Sequence, residues 1–361
     1  MTHLMVDAHE DLAYNMLAFG RDYTMPVAET RRKEIGSKAV EHNGDTTLSY
    51  DEYQRGRVAF IFATLFAAPK RGKAPSWENF LYSNPDEAYK LYSQQIDVYE
   101  RLFDQHPDKF TPIHTLNQFE TNLKRWQQSD SSAPAGLITL MEGADCVRSI
   151  KELEEWWQRG VRLIGLAWKS TRFCGGTGEP GPLTDEGREM LRAMAPIGFT
   201  LDLSHMDWES ALQSLDLYEG AIVASHANAL KQVRNGRKNR FLTDEIIQGI
   251  IQRNGVIGVI PFNSFLDEDW KLPDPRSAVP LSMVADQIDY ICQKAGNARH
   301  AGFGTDFDGG FGLQHIPEGL DTIADLQKLD GILNARGYSQ SDIDLIFGGN
   351  WLEILRKTLP A

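Results

Sequence analysis

The chain has 361 residues, 42% hydrophobic and 24% charged, enough apolar material for a large core. Its 37 Lys and Arg against 50 Asp and Glu leave a formal charge of −13, which argues against a nucleic-acid or anionic-membrane partner. The longest apolar run, 58–68, is far short of the ~20 residues of a membrane helix, and the N-terminus carries no secretory signal pattern. Cys146, Cys174 and Cys292 stand far apart without a Cys-x-x-Cys pair, which excludes a thiol-rich zinc site and disfavours a disulfide scaffold. The expected location is cytoplasmic.

In chain order, the first apolar run is 4–6. A polar, charged stretch at about 20–57 follows and reads as a long first βα loop with room for a little local structure. Further strand candidates are 58–66, 136–141, 161–167, 199–203, 221–224, 256–260 and 300–304. Helical patterns separate most of them. Over 84–103, Asn84 can cap, Pro85 suits the first helical position, and Tyr92, Ile96, Tyr99 and Phe103 share one face. The segments 184–195 and 243–253 each open with Thr-Asp, and 280–295 and 340–358 complete the set. Eight strand candidates alternating with helices predict an α/β chain, a (β/α)8 TIM-type barrel filling 1–361 as one domain. An open doubly wound sheet would normally carry a glycine-rich phosphate loop after its first strand. Here that strand runs into Asp7-Ala-His-Glu-Asp instead.

Polar residues with chemistry stand at the carboxyl ends of these strand candidates. His9 follows the first run, and Asp11, two residues on, can point the same way. Glu142 ends 137–142, His205 ends 199–205, His226 ends 221–226, and Asp306 follows Gly302-Phe-Gly-Thr. In a barrel all carboxyl ends face one mouth, where active sites lie. Three imidazoles and three carboxylates gathered there are costly unless divalent cations relieve them. Nitrogen and oxygen donors without thiolate suit Zn2+, and Mn2+, Co2+ or Fe2+ are chemically compatible. Six groups exceed the needs of one tetrahedral ion, so two ions sharing a carboxylate are expected. Any one such residue alone is more often structural; the repetition at strand ends carries the metal reading. His3, His42, His106, His114, His300 and His315 lack this placement and read as surface or packing residues. Trp156 and Trp157 read as core or interface. Gly175-Gly-Thr-Gly lacks a following Lys-Ser/Thr and reads as a flexible loop, not a phosphate cradle.

Seven segments stand in a telling order. They are Val6-Asp-Ala-His-Glu-Asp-Leu, Met141-Glu-Gly-Ala-Asp, Gly198-Phe-Thr-Leu-Asp-Leu-Ser-His, Ala224-Ser-His-Ala-Asn-Ala, Arg240-Phe-Leu-Thr-Asp-Glu, Gly302-Phe-Gly-Thr-Asp-Phe-Asp-Gly and Gly348-Gly-Asn-Trp. Together they resemble the renal (membrane) dipeptidase family of zinc metallopeptidases, with an amidohydrolase-like barrel. The resemblance implies two Zn2+ per chain, His9 and Asp11 on the first, His205 and His226 on the second, and Glu142 bridging. It implies that Asp306 is the catalytic acidic residue and that Arg240 pairs with the substrate's free carboxylate, with Arg237 and Arg234 as nearby alternatives. Two positions depart from the family pattern. Trp168 ends the fourth strand, where the family usually has a histidine, and Asn263 follows the seventh, where a tyrosine is frequent. No counterpart of the animal enzymes' hydrophobic anchoring tail is expected, since the sequence ends Lys357-Thr-Leu-Pro-Ala.

The implied activity is hydrolysis of dipeptides by metal-activated hydroxide. The implied partner is a small amide substrate, with no nucleic acid or membrane and with room for a homodimer. Trp168 and Asn263, as substrate contacts, keep a second activity open: a metal-dependent amidase acting on N-acyl amino acids or lactam rings. A catalytically silent metal-binding barrel is the remaining alternative.

Overall fold

The computed structural model describes residues 2–71, 78–128 and 133–361. Eight parallel strands enclose a packed interior: β1 (Met5–Glu10), β2 (Val58–Phe66), β3 (Ala135–Glu142), β4 (Val161–Gly165), β5 (Thr200–Asp202), β6 (Ile222–Val223), β7 (Ile257–Val259) and β8 (Ala301–Phe303). Their hydrogen-bonded order is β6-β5-β4-β3-β2-β1-β8-β7. The two ends meet where Ala224 pairs in parallel with Ile257. There the Ala224 amide donates to the Val256 carbonyl at 3.0 Å and the Gly258 amide to the Ala224 carbonyl at 2.8 Å. The sheet is therefore a nearly closed (β/α)8 barrel, as the strand count predicts.

Side chains alternate across the strands. On β2, Phe60 and Phe62 pack inward with Ile138, Leu140 and Leu163, and Ile61, Ala63 and Leu65 pack outward with helix residues such as Ile96 and Tyr99. Trp351 from the C-terminal helix Asn350–Thr358 joins the inner cluster, its ring 5.2 Å from Phe62 and its indole N–H donating to the Phe303 carbonyl at 3.0 Å.

The helix signals match local structure. Asn84 caps Pro85–Gln105 by accepting from the Glu87 amide, and Thr184 and Thr243 cap Asp185–Ile197 and Asp244–Gln252 in the same manner. Three features go beyond the sequence reading. The connection 20–57 is more structured than a bare loop and holds the short helices Val27–Glu34, Lys38–Asn43 and Tyr50–Gly56. Its polar groups hold it in place: Arg21 pairs with Glu34 at 3.1 Å and with Asp308 at 3.0 Å, and the Thr46 and Thr47 hydroxyls donate to the Asp308 carboxylate. An additional short strand, Phe110–Pro112, pairs with the start of β3. Gly175-Gly-Thr-Gly is no free loop either, since Cys174–Gly176 and Glu179–Leu183 form an antiparallel hairpin.

Candidate active site

The register of β1 on β2 shifts between Asp7 and Glu10, and a bulge of this kind re-aims side chains. Ala8 joins the inner cluster and His9 Nδ1 lies 3.4 Å from the inward Thr64 hydroxyl, whereas Glu10 turns outward to accept the Tyr53 hydroxyl at 2.5 Å. Asp11 then stands at the cap position of helix Leu12–Phe19. The mouth of the barrel gathers the six predicted groups. The Nε2 atoms of His205 and His226 lie 3.1 and 3.2 Å from Glu142 Oε1 and 3.0 Å from each other. His9 Nε2 lies 3.8 Å from Asp11 Oδ2, from Glu142 Oε1 and from Asp306 Oδ1, and its ring stacks on His226 at 3.6 Å.

These residues suit a metal centre. Two sets, His9 with Glu142 and His226, and His9 with Asp11 and Asp306, place their donor atoms within 4.8 Å of one another. All six side chains belong to residues no more than 9% exposed, and His9 Nε2 and Asp11 Oδ1 are buried without a hydrogen-bond partner. A tetrahedral ion with bonds of about 2.1 Å separates its donors by about 3.4 Å. The donor spacings of 3.0–3.8 Å bracket that value.

Burial penalises each charge, and neighbours decide the balance. On His9, burial opposes the charge, but Glu142, Asp11 and Asp306 outweigh it and raise the ring to about 10. Burial, with Arg240 and His9 nearby, holds His205 and His226 well below the usual imidazole value. Neutral imidazole is the form that ligates metal. Burial pushes Glu142 well above the carboxylate range and lifts Asp306 to about 7. His205 and Asp306 also occupy φ +67° and +57°. Non-glycine residues pay of order 1 kcal/mol for that region, and such strain gathers at functional sites.

A hydrogen-bonded layer supports the histidines from behind. Asp202 Oδ1 accepts from the Ser204 amide at 3.0 Å, the Ser204 hydroxyl at 2.8 Å and the Ser225 amide at 2.8 Å; Oδ2 accepts the Ser225 hydroxyl at 2.5 Å. Ser225 Oγ lies 2.8 Å from His226 Nδ1, and the Thr177 hydroxyl, from the hairpin turn, lies 2.9 Å from His205 Nδ1. Both rings thus have Nδ1 engaged and Nε2 turned to the centre, the arrangement that orients ligating imidazoles. Glycine at 258 and 304 admits this corner, because a Cβ there would lie 1.9 or 1.8 Å from the Ser225 carbonyl oxygen.

A cavity of about 420 Å³ opens at the mouth, lined by Asp11, Glu142, His205, Arg240, Asp306 and Trp168 among others. Arg240 is 2% exposed; one Nη2–H donates to the His226 carbonyl at 2.8 Å, and Nε and Nη1 have no partner. Arg234 and Arg237 pair instead with Asp267 at 2.9 Å and Asp269 at 2.7 Å. Trp168 packs edge-on against Phe66 at 5.1 Å and stands 6.2 Å from the His205 ring. Asn263 is fully buried with its amide donating to the Ile316 carbonyl at 3.4 Å, and its neighbour Phe262 lines the cavity. Sequence reading passed over Phe262, Phe311 and Glu78 and took His42 for a surface or packing residue; all four line the cavity. For the two phenylalanines, the available signal was a position just after β7 or β8.

A TIM-type barrel with an imidazole–carboxylate cluster at its mouth defines a hydrolase of the metal-dependent barrel class. More narrowly, the chain belongs to the membrane dipeptidase family (peptidase family M19), whose model matches residues 1–360. An uncharacterized dipeptidase of Schizosaccharomyces pombe is 27% identical over 99% of this chain and 82% of its own. Dipeptidase tcpJ of Claviceps purpurea is 24% identical over 84% of this chain and 67% of its own. The solved structure of dipeptidase AC, a metallo peptidase, matches with a TM-score of 0.79 at 22% identity, over 100% of both chains. A metallo peptidase from Rhodobacter sphaeroides, solved with a phosphinate mimic of the dipeptide L-Ala-D-Ala, matches with a TM-score of 0.78 at 22% identity, over 99% of this chain and 100% of its own.

Proposed function

We propose that this chain is a dinuclear zinc dipeptidase. The observation that carries the reading is six converging nitrogen and oxygen donors beside a buried arginine with unpaired N–H groups at Nε and Nη1. His9 and Asp11 would hold one ion, His205 and His226 the other, and Glu142 both, a thiolate-free set that suits Zn2+. Bound there, the two ions would bring the pKa of a shared water toward neutrality and polarise the scissile carbonyl.

The chain's own groups do the rest. Arg240, whose buried guanidinium keeps N–H donors unengaged at Nε and Nη1, would hold a terminal carboxylate by a charge-assisted contact. That grip fixes one end of the substrate, and the cavity of about 420 Å³ favours short substrates. Asp306, buried at the mouth with Oδ1 3.8 Å from His9 Nε2, is placed to take a proton from the attacking water and return it to the leaving amine. Trp168 offers one N–H and a broad apolar face and cannot titrate near neutrality, so it shapes the substrate without moving protons.

Trp168 also favours a second reading, an amidase for N-acyl amino acids or lactam rings, because the titrating group usual at its position in the family is missing. A panel of dipeptides and N-acyl amino acids separates the two, run on chelator-stripped and zinc-restored protein. Dipeptide cleavage that disappears on stripping and returns with zinc is the expected result. Turnover of N-acyl amino acids alone would replace the dipeptidase reading, and turnover of neither would leave a binding barrel.

A further inference from the structure

The walls of the mouth cavity are two separate groups of aromatic rings, and only one of them adjoins Arg240. In that group the guanidinium lies over the Phe265 ring at 5.2 Å. Phe265 tilts against Phe262 at 4.8 Å, and Phe262 stacks almost flat on Phe311 at 4.2 Å with 8° between the planes. Phe262 and Phe265 are half-buried, so part of each ring faces the cavity, and Phe311 is buried beneath. The other group runs from Tyr14 to Phe66 at 5.7 Å and on to Trp168 at 5.1 Å. Side chains of both signs adjoin it: Glu78 accepts the Tyr14 hydroxyl at 2.7 Å, and Lys169 sits over the Trp168 ring at 5.7 Å.

The dipeptidase reading above gives this asymmetry a consequence. A carboxylate held by the Arg240 guanidinium sets the α-carbon of the C-terminal residue one bond beyond it. Its side chain therefore starts beside Phe265, and the next surface it meets is Phe262 backed by Phe311. Flat apolar faces reward aromatic and large aliphatic groups through burial and offset stacking, and they repel the charge of an acidic side chain. We propose that Phe262, Phe265 and Phe311 form the subsite for the C-terminal side chain and select dipeptides that end in an aromatic or large apolar residue. The N-terminal residue falls to the Tyr14–Phe66–Trp168 wall.

The test is kcat/KM of the zinc-loaded full chain on two series of dipeptides. One varies the C-terminal residue (Ala-Gly, Ala-Leu, Ala-Phe) and the other the N-terminal residue (Gly-Ala, Leu-Ala, Phe-Ala). Wild type should favour Ala-Phe over Ala-Gly by about tenfold or more, chiefly through KM. Phe262→Ala should cut that ratio by about tenfold without a matching change in the Phe-Ala to Gly-Ala ratio. Phe262→Leu keeps most of the volume and loses the flat face, so it should lower Ala-Phe relative to Ala-Leu. It decides the matter with wild type alone should Phe262→Ala fail to fold. Equal effects on both series, or a wild type indifferent to the C-terminal residue, overturn the subsite while the dipeptidase reading stands. A wild type that cleaves none of these peptides overturns the dipeptidase reading, and the subsite with it.

Discussion

Replacing Asp202 with asparagine should loosen the metal centre without touching a proposed ligand. The carboxylate is 1% exposed and accepts four hydrogen bonds, three on Oδ1 and one on Oδ2. Asparagine keeps an acceptor at Oδ1 and puts a donor at the other position, so the bond from the Ser225 hydroxyl is lost. A hydrogen bond to a charged group is worth about 1.5–3 kcal/mol, which sets the expected loss of stability. The Ser225 oxygen then faces two donors, the new amide and His226 Nδ1 at 2.8 Å, which carries the hydrogen in the tautomer that frees Nε2 as a ligand. Losing such an orienting partner typically lowers metal affinity ~10–100-fold. Asp202→Ala is harsher, because it strands the Ser204 and Ser225 amides at about 1–3 kcal/mol each, a large share of a typical stability of about 5–15 kcal/mol. The assay is zinc competition against a chromophoric chelator, with urea unfolding of the metal-free protein alongside. Wild-type zinc affinity together with unchanged stability in Asp202→Asn would refute the reasoning.

Asp306→Asn should keep most of the metal and the fold while the rate falls by ~10²–10⁴, measured as turnover beside elemental analysis of one sample; near-normal turnover would place the proton shuttle elsewhere. Trp168→His should reorder the preferred dipeptides more than it alters metal content, and equal effects on every dipeptide would reduce Trp168 to packing. Burial, with Arg162 nearby, lowers His114 from 6.5 to about 4. The folded state therefore favours the neutral ring, and its contribution is complete above about 6.5 and lost as the pH falls toward 4. Between pH 7 and 4.5, wild type should lose about 1–2 kcal/mol more stability than His114→Gln, a value discounted for partial exposure; equal acid sensitivity in urea unfolding would contradict it.

The barrel was legible because strands buried on both faces leave near-continuous apolar runs, as at 58–66 and 136–141. The gathering of the six candidate residues at one mouth was legible because each stands at or just past the end of a strand candidate. The bulge in β1 was not: nothing in Met5-Val-Asp-Ala-His-Glu tells that His9 turns inward and Glu10 outward, since a plain alternation would pair Ala8 with Glu10. Asp202 is plain in the sequence as a polar residue near His205, but its bonds to Ser225 cross 23 positions and arise only when β5 and β6 lie side by side. The helices between 20 and 57 could not be placed individually for a related reason. Their anchor is Asp308, bonded to Thr46 across 262 positions, so no local apolar period announces them. Phe262 and Phe311 come from different loops and meet only at the mouth of the closed barrel.

The bridged two-ion centre is tested most directly by elemental analysis of the same purified sample on which dipeptide hydrolysis is measured. The expected result is about two zinc ions per chain at full activity, with occupancy of both lost together in Glu142→Gln. Full dipeptide turnover at a single ion per chain, or after complete chelation, would contradict it.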